Sequence, residues 1–389
     1  MSKAKAIVNG KIVTPEKVIE NMSLIIDDGK FAEISQTAGG LEIIDAEGCF
    51  ILPGFVDIHL HGGNGFDFMD GTEEAFESIA EIHCRHGTTS ILPTTVACPQ
   101  NKLFCLFEIY KKCAAKSKTA KFRGIHMEGP FITKEMKGAQ NEAYIIPPDK
   151  DVVDEIFDRG KGIISRITAA PEIGGAQFLA KAAKNENAVL SIGHSNATAD
   201  EVFKAYKLGF KHITHMYCST TTNRKIGQNV YAGIVEAAYL NDGITVELIG
   251  DGKHIPKETM QLALKIKGAK HVALITDAMR ASGLNCTESY LGSKLPQNRV
   301  IIEDGVAKLP DRSSFAGSIA TSDIVFKNAV ENYGISICDA SCMMSLAPAE
   351  IIGIGKKCGS IEIGKEADFI FADNGYDVKN VFVNGNKIF

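Results

Sequence analysis

Ten cysteines are scattered along the 389 residues without a single C-x-x-C pair; the nearest two, Cys338 and Cys342, are one residue too far apart. That removes the common thiol redox motif and leaves the thiols as small buried hydrophobes suited to a reducing compartment. No apolar run approaches the ~18 residues of a membrane helix. Met1 to Gly10 also lacks an apolar segment followed by a cleavage site, so a cytoplasmic location is expected. Positive charge is not in excess either: 42 Lys and Arg face 47 Asp and Glu, a net charge of −5. A phosphate backbone needs a concentrated basic face, so a nucleic-acid surface is excluded and a small-molecule substrate is favoured. Finally, no G-x-G-x-x-G follows the first apolar strand, which weighs against a doubly wound dinucleotide fold.

With 45% hydrophobic and 23% charged residues, a large core is available. Residues 4–52 alternate short β-prone runs with the turn pairs Asn9-Gly10 and Asp28-Gly29, which predict hairpins, and Gly359 to Phe389 repeats that texture. Neither piece can bury enough alone, so residues 1–53 and 354–389 are expected to form one small β-sandwich domain. Between them, apolar strands are predicted near 55–60, 89–95, 122–127, 164–169, 188–193, 211–215, 244–249 and 271–276. Helix starts stand at Thr72-Glu73, Asn196 to Asp200 and Pro256-Lys257. Strand and helix in regular alternation predict a (β/α)₈ TIM barrel over 54–353.

The strand ends carry the chemistry. His59 and His61 are two apart on a strand, so both rings point to one side. An arbitrary H-x-H is more often a satisfied core or loop pair; Pro53-Gly54-Phe55 before it and Gly62-Gly63 after it place this one at a strand end. Glu128 closes an apolar run, where a carboxylate needs a partner or a cation, and His126 shares its face. His194 and His215 end two further strands. Imidazoles with one carboxylate are the ligand set of a catalytic divalent-metal site. Asp277 ends the last predicted strand; it could cap the following helix, but beside a metal it is the candidate general base and acid.

Taken together, Pro53 to Gly63, His126 to Phe131, Gly193-His194-Ser195, Thr214 to Tyr217, Asp251 to His254, Thr276-Asp277-Ala278 and Gly364 to Phe369 resemble the N-acetylglucosamine-6-phosphate deacetylase family of the amidohydrolase superfamily. The resemblance implies that Glu128, His194 and His215 hold the main metal and that Asp277 shuttles the proton. His59 and His61 match positions that add a second ion in some members, so one or two divalent ions are expected, Zn²⁺ first and Fe²⁺ second. Ala139 and Gln140 match a substrate-contacting pair whose second residue is often His, His254 matches a sugar- or phosphate-contacting histidine, and Phe315-Ala316-Gly317 resembles the loop over the substrate amide. The family's Asn-Ala after Thr-His-x-aromatic is replaced here by Cys218-Ser219, with Arg224 standing in for the phosphate-binding arginine at a shortened spacing. That arginine can come from a neighbouring subunit, so a homodimer is implied.

The implied reaction converts an N-acetyl amino sugar phosphate, N-acetylglucosamine 6-phosphate, to glucosamine 6-phosphate and acetate. N-acetylgalactosamine 6-phosphate or an unphosphorylated N-acetyl sugar is the alternative substrate. A non-catalytic sugar-binding relative would be expected to have lost ligands or the acid, and all are present.

Overall fold

Each apolar run between residues 55 and 275 forms a strand in the computed structural model, which describes residues 4–389. These are β1 (Phe55–Leu60), β2 (Thr88–Thr95), β3 (Ile125–Glu128), β4 (Ile164–Ala169), β5 (Val189–Ile192), β6 (Phe210–Ile213), β7 (Thr245–Ile249) and β8 (Val272–Ile275). Each pairs in parallel with the next. A bridge between Leu60 and Ala278, with the His61 N–H donating to the Ala278 carbonyl at 2.7 Å, brings β8 back to β1 and closes the ring. The third predicted strand is broken in two: Lys121–Phe122 pairs beside β2, then Gly124 at φ +116 redirects the chain into β3. A Cβ at Gly124 would sit 1.8 Å from Ser165 Oγ, so only glycine fits.

Helices follow the strands and cover the barrel. Thr72 accepts the Ala75 N–H at 3.1 Å ahead of Glu73–Arg85, Glu201 Oε2 accepts the Thr198 N–H at 2.7 Å ahead of Ala199–Leu208, and Pro256 precedes Lys257–Lys267. In Glu73–Arg85 the stripe Phe76, Ile79 and Ala80 is buried against the barrel, as the 3.6-residue period requires. Among the described residues no helix is long and apolar enough to cross a membrane.

Strands from both chain ends interleave below the barrel. One sheet runs Lys30–Ser35, Ser23–Asp27, Lys5–Val8, Glu42–Asp45; the other runs Asn386–Lys387, Val378–Val383, Phe369–Ala372, Phe50–Pro53, Lys11–Val13, Val18–Ile19. Ile7, Leu24, Ile51, Phe369 and Phe382 pack between them, the two phenylalanine rings stacked at 4.3 Å. Asp28-Gly29 makes its hairpin, pairing Asp27 with Lys30. Asn9-Gly10 does not: Lys5–Val8 and Lys11–Val13 belong to different sheets, and the turn carries the chain across the sandwich. Both flanking runs are buried, so each pairs within its own layer.

A third piece, Glu288–Tyr290, Arg299–Glu303 and Val306–Lys308, forms a small antiparallel sheet after β8. It overhangs the C-terminal mouth of the barrel and supplies Leu291, Lys308 and Arg312 to the wall of the cavity there.

Candidate active site

The chain turns sharply as it leaves the strands. His194, His215 and Asp277 adopt φ of +49°, +28° and +48°, a region that costs a non-glycine residue on the order of 1 kcal/mol. Hydrogen bonds hold these turns: the Asp277 N–H donates to the His59 carbonyl at 3.0 Å, the Ser318 N–H to the Asp277 carbonyl at 2.8 Å, and the Thr133 N–H to the His194 carbonyl at 3.0 Å. Each turn swings its side chain over the barrel mouth, where Glu128, from the last residue of β3, meets them.

The tautomers follow from the outer ring nitrogens. His194 Nδ1 lies 2.7 Å from the Met136 carbonyl and His215 Nδ1 lies 2.9 Å from the Cys218 carbonyl. A carbonyl only accepts, so both Nδ1 atoms carry the proton and both Nε2 atoms present lone pairs inward. Those lone pairs face Glu128 Oε1 at 3.0 and 2.9 Å and each other at 3.2 Å. Three acceptors meeting at one point repel unless a cation lies between them. On the other side of Glu128, His59 Nε2 is buried with no hydrogen-bond partner, 3.4 Å from Glu128 Oε1 and 3.5 Å from Asp277 Oδ1. His61 Nε2 lies 3.4 Å from Glu128 Oε2 and 3.3 Å from Asp277 Oδ1. Two potential ligand triads therefore share Glu128: with His194 and His215, and with His59 and His61, their ligand atoms within 4.8 Å of one another in each. The donor set fits one or two divalent ions.

The electrostatics agree. Burial works against a charge on His59, but the carboxylates of Glu247, Glu128 and Asp277 together raise its proton affinity well above that of an ordinary imidazole. The pocket thus calls for positive charge at the spot where a metal would lie. Burial pushes the Glu128 carboxyl up, and the charge that His59 takes on without a metal is the largest of the influences that outweigh it, leaving the carboxyl well below the usual range. For Asp277 burial is again outweighed, by His59 and His61, so the carboxylate is held ionised.

The cavity above these groups measures about 580 Å³ and is lined by Ala139, Gln140, Cys218, Ser219, His254, Phe315, Ala316 and Gly317 as well as by His61, Glu128, His194, His215 and Asp277. Gln140 Oε1 accepts the Ala97 N–H at 2.8 Å, which fixes the amide so that Nε2 points inward and donates to Glu128 Oε2 at 3.0 Å. His254 is anchored through Nδ1 to Asp251 Oδ2 at 2.7 Å and packs on the Phe315 ring at 4.6 Å. Gly317 lies against the acid: a Cβ there would come within 2.9 Å of the Asp277 carbonyl, and its φ is +72°.

One predicted residue is not brought to the cavity of its own chain. Arg224 opens the hairpin Arg224–Ile226 and Asn229–Tyr231, and its guanidinium donates to the Asn196 carbonyl.

Other residues escaped the sequence reading. Glu247 on β7 and Arg166 on β4 are fully buried under the site and paired at 2.6 Å, and Lys308 at the end of the small sheet and Arg312 in the loop after it reach the cavity. Glu247 and Arg166 carried the same signal that singled out Glu128, a charged residue inside an apolar strand.

Comparison with known proteins places this geometry. The model of the amidohydrolase family matches residues 50–388. An N-acetylglucosamine-6-phosphate deacetylase of Lysinibacillus sphaericus is 33% identical over 91% of this chain and 90% of its own length. An N-acetylgalactosamine-6-phosphate deacetylase of Escherichia coli O157:H7 is 29% identical over 96% of this chain and 97% of its own. The crystal structure of the N-acetylglucosamine-6-phosphate deacetylase from Pasteurella multocida superposes with a TM-score of 0.91 at 29% identity, covering 99% of both chains. The barrel, the shared carboxylate and the family match converge on one statement: this chain belongs to the amidohydrolase family.

Proposed function

We propose that the protein hydrolyses the acetamide of N-acetylglucosamine 6-phosphate to glucosamine 6-phosphate and acetate. The observation that carries this reading is the convergence of Glu128, His194, His215, His61 and Asp277 on one cavity at the barrel mouth, with His59 buried directly behind Glu128. Glu128, His194 and His215 would hold the main ion, Zn²⁺ before Fe²⁺, and His59 and His61 with Glu128 a second. When bound, such an ion supplies Lewis-acid activation of water and of the amide carbonyl.

The chain's own groups do the rest. Asp277, ionised and beside His59 and His61, takes the proton of the attacking water and returns it to the leaving nitrogen as the C–N bond breaks. Gln140, whose Nε2 is pinned inward as a donor, orients the amide carbonyl and does not titrate, unlike a histidine there. Burial pushes the Cys218 thiol up to about 12, so it serves as a wall and not as a nucleophile.

His254 and Phe315 form one side of the sugar site, with Ala139, Ser219, Ala316 and Gly317 around it. Arg224, turned away from its own cavity, reaches a phosphate across a homodimer. Residues 54–353 carry the site as one unit, residues 4–53 and 354–389 support it as another, with residues 1–3 of the expected boundary outside the described residues, and the protein works in the cytoplasm.

Acetate release from N-acetylglucosamine 6-phosphate, its galacto epimer and both unphosphorylated sugars tests the reading. The first substrate is expected to give the highest kcat/KM. A higher value for the galacto phosphate moves the assignment to the epimer named for the Escherichia coli relative.

A further inference from the structure

We propose that Glu247 is a positioning residue that fixes the tautomer and orientation of His59 and thereby creates the second metal half-site. Glu247 lies mid-strand on β7 with its side chain in the barrel interior, fully buried, between Val246 and Leu248 on the opposite face. Its Oε1 lies 2.7 Å from His59 Nδ1 and accepts the His215 backbone N–H at 3.0 Å. Its Oε2 accepts from Arg166 Nη1 at 2.6 Å and faces His212 Nε2 at 3.4 Å. One carboxylate thus touches the side chain of a ligand in one triad and the backbone of a ligand in the other.

Arg166 leaves Glu247 no freedom. It donates to Ser191 Oγ at 2.9 Å, to Thr214 Oγ1 at 2.8 Å and to the Ile58 carbonyl at 3.3 Å, so the guanidinium is fixed by β5, the end of β6 and β1. Held against that cation, Glu247 is an acceptor only, and His59 must carry its proton on Nδ1. Its Nε2 then points at Glu128 and Asp277 with no hydrogen-bond partner, the position an ion would take in exchange for a proton. A carboxylate behind an imidazole also makes that imidazole a stronger ligand. His61 has no such support, because its Nδ1 is buried without a partner. A buried ion pair is seldom more stable than apolar filling of the same volume, so orienting a ligand accounts for the Glu247–Arg166 pair better than stability does.

The proposal rests on the metal reading above and not on the substrate. Metal-free wild type, Glu247→Gln, His59→Asn and the double variant are titrated with Zn²⁺ by calorimetry, and acetate release is recorded on the same preparations. Wild type is expected to bind two ions. Glu247→Gln should keep the first and bind the second roughly 10–100-fold more weakly, the usual loss when such a support is removed. In the His59→Asn background the same change should add nothing, since the effect passes through that ring.

Equal affinity for both ions in Glu247→Gln, or a second loss on top of His59→Asn, would overturn the proposal, as would a wild type that takes one ion. If Glu247→Gln fails to fold because Arg166 is left unpaired, Arg166→Met/Glu247→Gln removes both charges and is titrated in its place. Wild type loaded with ¹¹³Cd²⁺ needs no variant: NMR should show a proton on His59 Nδ1 and cadmium coupling at Nε2, and the reverse pattern sinks the idea. Two-ion binding without acetate release would refute the deacetylase reading and leave this one standing.

Discussion

Replacing Asp277 by asparagine isolates the proton shuttle from everything else at the site. Asparagine has nearly the same shape and tolerates the left-handed backbone at φ +48°. The backbone bonds to the His59 carbonyl and from the Ser318 N–H do not involve the side chain, so the turn survives. What disappears is a carboxylate whose Oδ1 stands 3.3 Å from His61 Nε2 and 3.5 Å from His59 Nε2 and which those rings hold ionised. A general acid–base group contributes about 10²–10⁴ in rate, equivalent to about 3–5 kcal/mol of barrier at ~1.4 kcal/mol per decade. Asp277→Asn should therefore lower kcat by about that factor. KM and the metal bound at Glu128, His194 and His215 should change little, because none of those contacts is made by Asp277 alone. Steady-state acetate release, elemental analysis and a melting curve on one preparation give all three numbers. Turnover within threefold of wild type by a folded, metal-loaded variant would remove Asp277 from the mechanism.

Three other outcomes are expected. The double change His59→Ala/His61→Ala should reduce metal content from two ions to one, and an unchanged stoichiometry after reconstitution would leave those rings structural. Arg224→Ala should raise KM for the phosphorylated sugar and spare kcat, since a contact equal in ground and transition states affects only binding; an unchanged KM would take Arg224 out of the phosphate site. Stability should also fall in acid through His83. Burial lowers its pKa to about 4 from an ordinary value of 6.5, with Nε2 on the Gly62 carbonyl at 2.9 Å and Nδ1 buried without a partner. Between those two values the unfolded chain binds the proton and the native one does not, so stability is full above pH 6.5 and drops by about 3 kcal/mol by pH 4. Denaturant melts of His83→Asn should show a shallower acid slope, and an identical slope would refute it.

How far the sequence could be read follows from which signals are local. Strand positions and candidate ligands were legible because most barrel strands are apolar runs and each candidate stands at or just past the end of one, so the periodicity and the polar interruption mark the same place. The Asn9-Gly10 turn misled because a turn pair encodes a change of direction and not which sheet receives the next strand. The small sheet after β8 was invisible, because its strands of three to five residues show no period long enough to read; only the loop Phe315-Ala316-Gly317 beyond it was singled out. Glu247 and Arg166 carried a readable signal but name each other only through the barrel's closure, which spacing alone does not reveal. Arg224 was legible as a residue type and not as a location, since its guanidinium is aimed by a hairpin and not by a strand end.

Ions held around Glu128 are expected to drive removal of the acetyl group. Acetate release from N-acetylglucosamine 6-phosphate is measured on one preparation as purified, after chelation to remove bound metal, and after returning Zn²⁺. Activity present, lost and regained is the predicted sequence, with Glu128→Ala inactive throughout. Acetate released at the full rate by the metal-free protein would contradict the account.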